Sequence, residues 1–174
     1  MPNFSKTYHW LATLAFILPT VICNDSFIAW SKPVPNYQIG TTIKIPNKEL
    51  RVVGFKLLGK TINSSSYGKL SAFGNWVTVA IDLKNTSNRT ASFSSSQFEI
   101  VDTKGKVYAA DFKGNFYSTD RASHFLDGTQ LPPNTKARFY LLFDVTPGAK
   151  IVKLVFQQEP YNNPNKKISI NIGS

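Results

Sequence analysis

The sequence predicts an all-β protein, an antiparallel β-sandwich of about seven strands, and three observations carry that expectation. Val77, Val79, Ile81 and Leu83 alternate with Thr78, Ala80, Asp82 and Lys84. Period two puts one set on a buried face and the other towards solvent. Ala137, Phe139, Leu141, Phe143 and Val145 repeat the pattern against Lys136, Arg138, Tyr140, Leu142 and Asp144. From Leu50 onward, short apolar runs are separated by turn signals, with no sustained helical period.

The chain of 174 residues has the length of one domain, enough for a core without disulfide staples. Its start reads as an address. Lys6 is the one charge before Leu11-Ala-Thr-Leu-Ala-Phe-Ile-Leu18, which Pro19 interrupts ahead of Cys23 and the polar Asn24-Asp25-Ser26. The apolar run of about 13 residues is short of the roughly 20 needed to span a bilayer. Residues 1–23 are therefore expected to be a secretory signal peptide. Cleavage after Cys23, lipidation of Cys23 and retention as an anchor are the three fates open to it.

Residues 24–48 contain Pro33, Pro35, Gly40 and Pro46 and read as an extended lead-in. The sandwich is expected over residues 49–174. Its strands are Leu50–Leu58, Asn75–Asn85, Phe98–Val101, Val107–Ala110, Thr135–Val145, Ile151–Gln157 and the stripe Ile168, Ile170, Ile172. Asp102-Thr-Lys-Gly105 makes a hairpin loop, because Gly supplies the positive φ of a bulged turn. Asn85-Thr-Ser-Asn88 and Thr146-Pro-Gly148 are further turns. Asp111–Pro133 is the longest irregular stretch, with room for one helical turn capped by Ser118 or Thr119. Loops of this length are often functional.

Trp76-Val-Thr-Val-Ala-Ile-Asp-Leu-Lys-Asn85, Phe98-Glu-Ile-Val-Asp102, Gly105, Val107-Tyr108, Leu131-Pro-Pro-Asn-Thr-Lys136 and Phe143-Asp-Val145 follow one another in that order. This series resembles the bacterial secreted family called domain of unknown function 4352 and, more remotely, the mycobacterial immunoprotective extracellular protein. The resemblance implies an immunoglobulin-like sandwich and brings no catalytic residues. Pro133-Asn134 stands where the family has Pro-Gly, and Asn also accepts the left-handed conformation.

The inventory of side chains excludes several chemistries. A Ser-His-Asp or Cys-His arrangement needs a histidine base, and the two histidines are His9, in the leader, and His124. A zinc site needs three or four Cys, His or carboxylate ligands, which the chain beyond the leader lacks at any suitable spacing. Asp111, Asp120 and Asp127 could be calcium ligands, without the compact acidic loop that calcium prefers. No phosphate loop or dinucleotide fingerprint is present. The expected protein has no cofactor, no metal and no catalytic residues. Asp82, Glu99, Asp102 and Asp144 read as solvent-facing. A hydrolase using loop carboxylates is the enzymatic alternative, and a membrane-tethered structural envelope protein is the other.

Lys and Arg number 20 against 10 Asp and Glu. Such a surplus favours acidic partners. Lys44, Lys48, Arg51, Lys56 and Lys60 cluster around the first strand, and Tyr67, Phe73 and Trp76 follow as aromatics able to stack on sugars. Lys44, Lys48, Arg51, Lys56, Lys60, Tyr67 and Trp76 form the candidate ligand-binding set. Lys56 and Lys60 share a side of an unbroken strand, whereas Arg51 joins Lys56 only if Gly54 marks a bulge. Lys150, Lys153, Lys166 and Lys167 would extend the patch if the last strands lie beside the first. The expected function is an exported, non-catalytic binding module of the cell envelope or extracellular space. Its expected partners are an anionic envelope polymer, lipid headgroups or another envelope protein. Nucleic acid is disfavoured, and membrane contact requires a retained leader.

Overall fold

Alternation at Val77–Leu83 and Ala137–Val145 does place those side chains in one core, and the strands that carry them are neighbours. A computed structural model describes residues 34–65, 67–122, 126–159 and 163–173. The expected leader at 1–23 with Cys23, the lead-in up to residue 33, and His124 lie outside the described residues.

The described residues form eleven strands. In chain order they are β1 (Asn36–Gln38), β2 (Thr42–Ile45), β3 (Lys48–Ser64), β4 (Gly68–Asn85), β5 (Ala91–Ser92) and β6 (Phe98–Asp102). Then come β7 (Val107–Ala109), helix α1 (Gly114–Ala122), β8 (Gln130–Leu131), β9 (Lys136–Val145), β10 (Ile151–Glu159) and β11 (Asn163–Asn171). One sheet runs β1-β11-β10-β6-β7, the other β2-β3-β4-β9, and β5 and β8 make a small third ladder. All named pairs are antiparallel except β1 on β11.

The inner faces of the two large sheets meet. Leu50, Val52, Val79, Ile81, Leu83, Phe139 and Phe143 from one pack with Phe98, Ile100, Leu154, Phe156, Ile168 and Ile170 from the other. Each large side chain so buried contributes about 1.5–3 kcal/mol relative to exposure. Over residues 36–48 the expected lead-in is part of the sandwich, as β1 and β2. Pro35 and Pro46 sit outside those strands, where a missing N–H costs no ladder bond. The strand count exceeds seven because β1, β2, β5 and β8 have only two to four residues each, too few to show an alternation.

Two departures from the expected layout matter for function. The first is a register shift in β3 between Val52 and Gly54. The bulge lets both Val52 and Phe55 face the core, although they are an odd number of residues apart. The second is α1, a nine-residue helix that begins at Gly114 rather than at Ser118 or Thr119. It lies on the outer face of β9, where Tyr117 packs with Leu142, Trp76 and Ala72 in a second, smaller core. Ser118 Oγ accepts the Tyr140 N–H at 3.1 Å. A Cβ at Gly114 would stand 2.8 Å from the Leu142 nitrogen, so only glycine lets the helix start approach so closely.

Candidate functional site

Charge on the outer face of the β2-β3-β4-β9 sheet follows from register. Ile43, Leu50, Leu83 and Ala137 form a buried rung. The next rung, Lys44–Glu49–Lys84–Lys136, therefore points outward, and so does Thr42–Arg51–Asp82–Arg138. Beyond the bulge, Lys56 pairs with Thr78 on the same outer face. Six cations thus share one face with two carboxylates. Arg138 holds Asp82 with two hydrogen bonds, Nε to Oδ1 at 2.7 Å and Nη2 to Oδ2 at 3.1 Å. Lys136 adds an ion pair to the same carboxylate at 2.9 Å, and Lys84 stands 3.7 Å from Glu49. Lys44, Arg51 and Lys56 are exposed, and among the described residues they have no acidic partner.

The candidate set from the sequence divides. Lys44, Arg51 and Lys56 converge because Gly54 does mark a bulge. Lys48 pairs with Ile45 and Asn85 on the other side of the sheet, and its ammonium lies 4.9 Å from the Phe93 ring centroid. Lys60 is exposed beyond a further register break at Gly59. Tyr67 is half exposed and stacks on Phe116 with centroids 3.6 Å apart. Trp76 leaves the set: it is fully buried beneath α1, with its indole N–H donated to Leu70 O at 3.2 Å and Lys113 over its ring. A ring enclosed in that way has no face left for a ligand. The C-terminal lysines do not extend the patch. Lys153 and Lys167 point outward from the other sheet, since Leu154 and Ile168 point inward. Lys166 shares a small groove with Lys48, and Lys150 stands at the loop end.

That loop end is the part of the molecule the sequence did not reveal. Where β6 turns into β7 and β9 into β10, two adjoining grooves of about 460 and 510 Å³ share Lys106, Tyr108, Thr146 and Pro147. Lys104 and Lys150 line the first, and Phe73, Asp111 and Asp144 line the second. Tyr108 donates its hydroxyl to Asp102 at 3.0 Å, and Lys106 Nζ donates to Thr146 Oγ1 at 2.7 Å.

The carboxylates a hydrolase would draw on are held as acceptors. Asp82 and Asp102 are buried rather than solvent-facing. Arg138, then Lys136, hold Asp82 below the ordinary carboxylate range against the opposing effect of burial. Burial also opposes ionisation of Asp102, but the N–H groups of Lys106 and Lys104 and the Tyr108 hydroxyl outweigh it. In Asp127 burial is again outweighed, by the Ser95 hydroxyl, the Asn115 amide, the Ser95 N–H and the Ser94 hydroxyl. Asp144 accepts the N–H groups of Phe73 and Gly74 at 2.6 and 2.8 Å. Among the described residues no group of His, Cys, Asp and Glu side chains is arranged to hold a metal, and no helix is long and apolar enough to cross a membrane.

Comparison with known folds agrees with this architecture. A secreted protein of Mycobacterium tuberculosis, MPT63, superposes with a TM-score of 0.55 at 14% identity, covering 82% of this chain and 100% of its own. The yjhA protein of Bacillus subtilis gives 0.55 at 14% identity, with 78% and 99% covered. An uncharacterised β-sandwich protein of Clostridium difficile gives 0.54 at 14% identity, with 80% and 95% covered. At such identities the likeness is one of fold. No curated protein matches the sequence. A family model does, over residues 37–168, from β1 to the middle of β11, and the chain belongs to the family it describes, domain of unknown function DUF4352.

Proposed function

We propose that this protein is an exported, non-catalytic binding module of the cell envelope that holds an anionic envelope polymer on the outer face of its β2-β3-β4-β9 sheet. The observation that carries the reading is the placement of Lys44, Arg51 and Lys56 on one exposed face, none of them in an ion pair within 4.0 Å among the described residues, because Glu49 and Asp82 are taken by Lys84, Lys136 and Arg138. A flat face has no shape with which to select a compact ligand. It suits an extended, repeating anion that meets several cations at once. Each such contact at about 4 Å is worth roughly 1 kcal/mol in water, so several are needed. Export rests on the apolar leader at residues 11–23, and a protein of like fold is described as secreted. The non-catalytic part is supported by the depressed pKa values of Asp82, Asp102 and Asp127. A general acid working near neutrality needs its pKa raised instead.

Retention on an acidic polysaccharide column and on anionic liposomes, at low and at high salt, tests the reading. A Lys44→Glu, Arg51→Glu, Lys56→Glu variant runs beside the parent. The expected result is retention of the parent on the polysaccharide at low salt, lost both at high salt and on charge reversal, because screening shortens to about 8 Å at physiological ionic strength. No retention at low salt, or retention indifferent to the reversal, overturns it. Retention on liposomes alone replaces the polymer with lipid headgroups and overturns that half of the reading.

A further inference from the structure

The grooves at the loop end are separate from the cationic face and differ from it in kind, being concave and carrying both signs of charge. Their rim begins at Phe73, whose side chain is 99% exposed. A single exposed apolar residue needs no explanation in itself. The backbone beneath this one is fastened with unusual care. Gly59 pairs with Trp76 and Thr61 with Ser71, so residues 72–75 of β4 bulge out opposite the single residue Lys60. The Asp144 carboxylate takes both N–H groups at the crest of the bulge. A Cβ on Gly74 would collide with the Val145 carbonyl oxygen, so the bulge lies flush on β9 only with glycine there. Bulges of this kind re-aim a side chain, and this one aims Phe73 over the groove.

We infer that the loop-end grooves form a binding site for a short acidic oligosaccharide, with Phe73 as the platform for a sugar ring. An aromatic face takes the apolar C–H face of a pyranose, and hydroxyls need acceptors close by. Asp111 supplies one: its Oδ1 accepts the Lys113 N–H at 2.9 Å, and its Oδ2 has no protein partner among the described residues. Further along the groove Lys106 spans both halves, and Lys104 and Lys150 bring ammonium groups to the far half that make no ion pair within 4.0 Å among the described residues, Lys104 feeling Asp102 at longer range. That half takes the carboxylate or phosphate of the sugar. Tyr108 and Thr146 form the wall, and their mutual hydrogen bond and that of Lys106 hold it in shape without the ligand. A bilayer surface is the poorer occupant: among the residues that line the grooves Phe73 is the one exposed large hydrophobic side chain, too little apolar area to anchor on a membrane.

The test is a residue-resolved NMR titration of the full chain with hexagalacturonate, a phosphorylated hexamannoside, the two neutral parent sugars and anionic phosphatidylglycerol vesicles. Amide shifts are expected at Phe73–Gly74 and Lys104–Lys106 with an acidic sugar, and the carboxylate and phosphate arms show which anion fits. Affinity is expected to fall about tenfold in Phe73→Ala and again in Lys104→Glu with Lys150→Glu, in line with the worth of a stacked aromatic contact. Phe73 touches too little for its removal to affect folding. Reversal of Lys44, Arg51 and Lys56 is expected to leave this affinity within about twofold, which separates the groove from the sheet face. Absent shifts, equal binding of neutral sugars, or indifference to Phe73→Ala overturns the inference. So do shifts produced by vesicles and by no sugar.

Discussion

The two strands β3 and β4 pass through two different environments, and only in the first does β4 keep an unbroken alternation, β3 being bulged at Gly54 even there. From Lys48 to Leu57, opposite Val77 to Asn85, the inner face is core and the outer face is a charged surface. From Gly59 to Trp76 the register breaks, and the outer face is dry beneath α1, where Trp76, Leu142 and Tyr117 are buried. Period two says which side chains share a face. It says nothing about what covers that face. The hint is an apolar residue of outward parity, and both Trp76 and Leu142 are such residues.

The largest effect is expected between the two sheets. Ile81 is fully buried between the sheets, and Ile81→Ala is expected to cost about 2–5 kcal/mol in denaturant unfolding. A loss below about 0.5 kcal/mol would mean that the inner face is misassigned.

Asp82 gives the next largest effect, and it lies on the outer face of the same strand. Its folded pKa is lowered below the ordinary value, chiefly by Arg138. Its contribution is therefore fully present above the unfolded pKa, near 4, and is lost as pH falls through the folded value. Asp102 and Asp127 act in the same direction. Acid is thus expected to destabilise the domain below about pH 4. Asp82→Asn is expected to cost about 1–3 kcal/mol at pH 7, the usual worth of hydrogen bonds to a charged group, and to make the acid transition shallower. An acid limb unchanged in this variant would contradict the assignment. Unfolding followed at pH 7 and pH 3 decides it.

The smallest effect on stability is expected at the unpaired cations. Neutralisation of Lys44, Arg51 and Lys56 to Gln should shift unfolding by about 0.5 kcal/mol or less, as for ordinary surface positions. A large loss would show that these cations serve folding rather than binding.

How far the sequence could be read follows the same division. Val77–Leu83 and Ala137–Val145 are legible because every second residue is apolar and most of those between are polar, Ala80 and Leu142 excepted. The turns are legible because backbone chemistry is local: Gly105 has φ 80°, and Asn134 takes φ 59° where the family has glycine. The bulge at Gly54 is legible as a condition and no more, since register depends on the partner strand. Of helix α1 a single turn at Ser118 or Thr119 is legible, and its start at Gly114 and its length are not. Gly114-Asn-Phe-Tyr-Ser-Thr-Asp-Arg-Ala122 has weak helix formers and no apolar stripe, and the helix is held by docking on β9. The loop-end grooves are hidden for a related reason. Asp102–Lys106 and Thr146–Lys150 read as two separate turns, and only the pairing of β6 with β10 sets them side by side. Phe73 and Trp76 look alike in sequence, yet one is exposed at the crest of the β4 bulge and the other is enclosed beneath α1.

On the proposed function, anions bind the outer face of the β2-β3-β4-β9 sheet rather than the opposite sheet face, with Lys153 and Lys167. Lys167 stands 3.7 Å from Glu99, so among the described residues that face has one named cation outside an ion pair, Lys153, where the other has three. Titration of the labelled chain with an acidic envelope polysaccharide, followed residue by residue at low salt, tests it most directly. Shifts are expected at Lys44, Arg51 and Lys56 that vanish as salt is raised, with Lys153 and Lys167 unmoved. Equal shifts on both faces, or shifts at Lys153 and Lys167 alone, would contradict it.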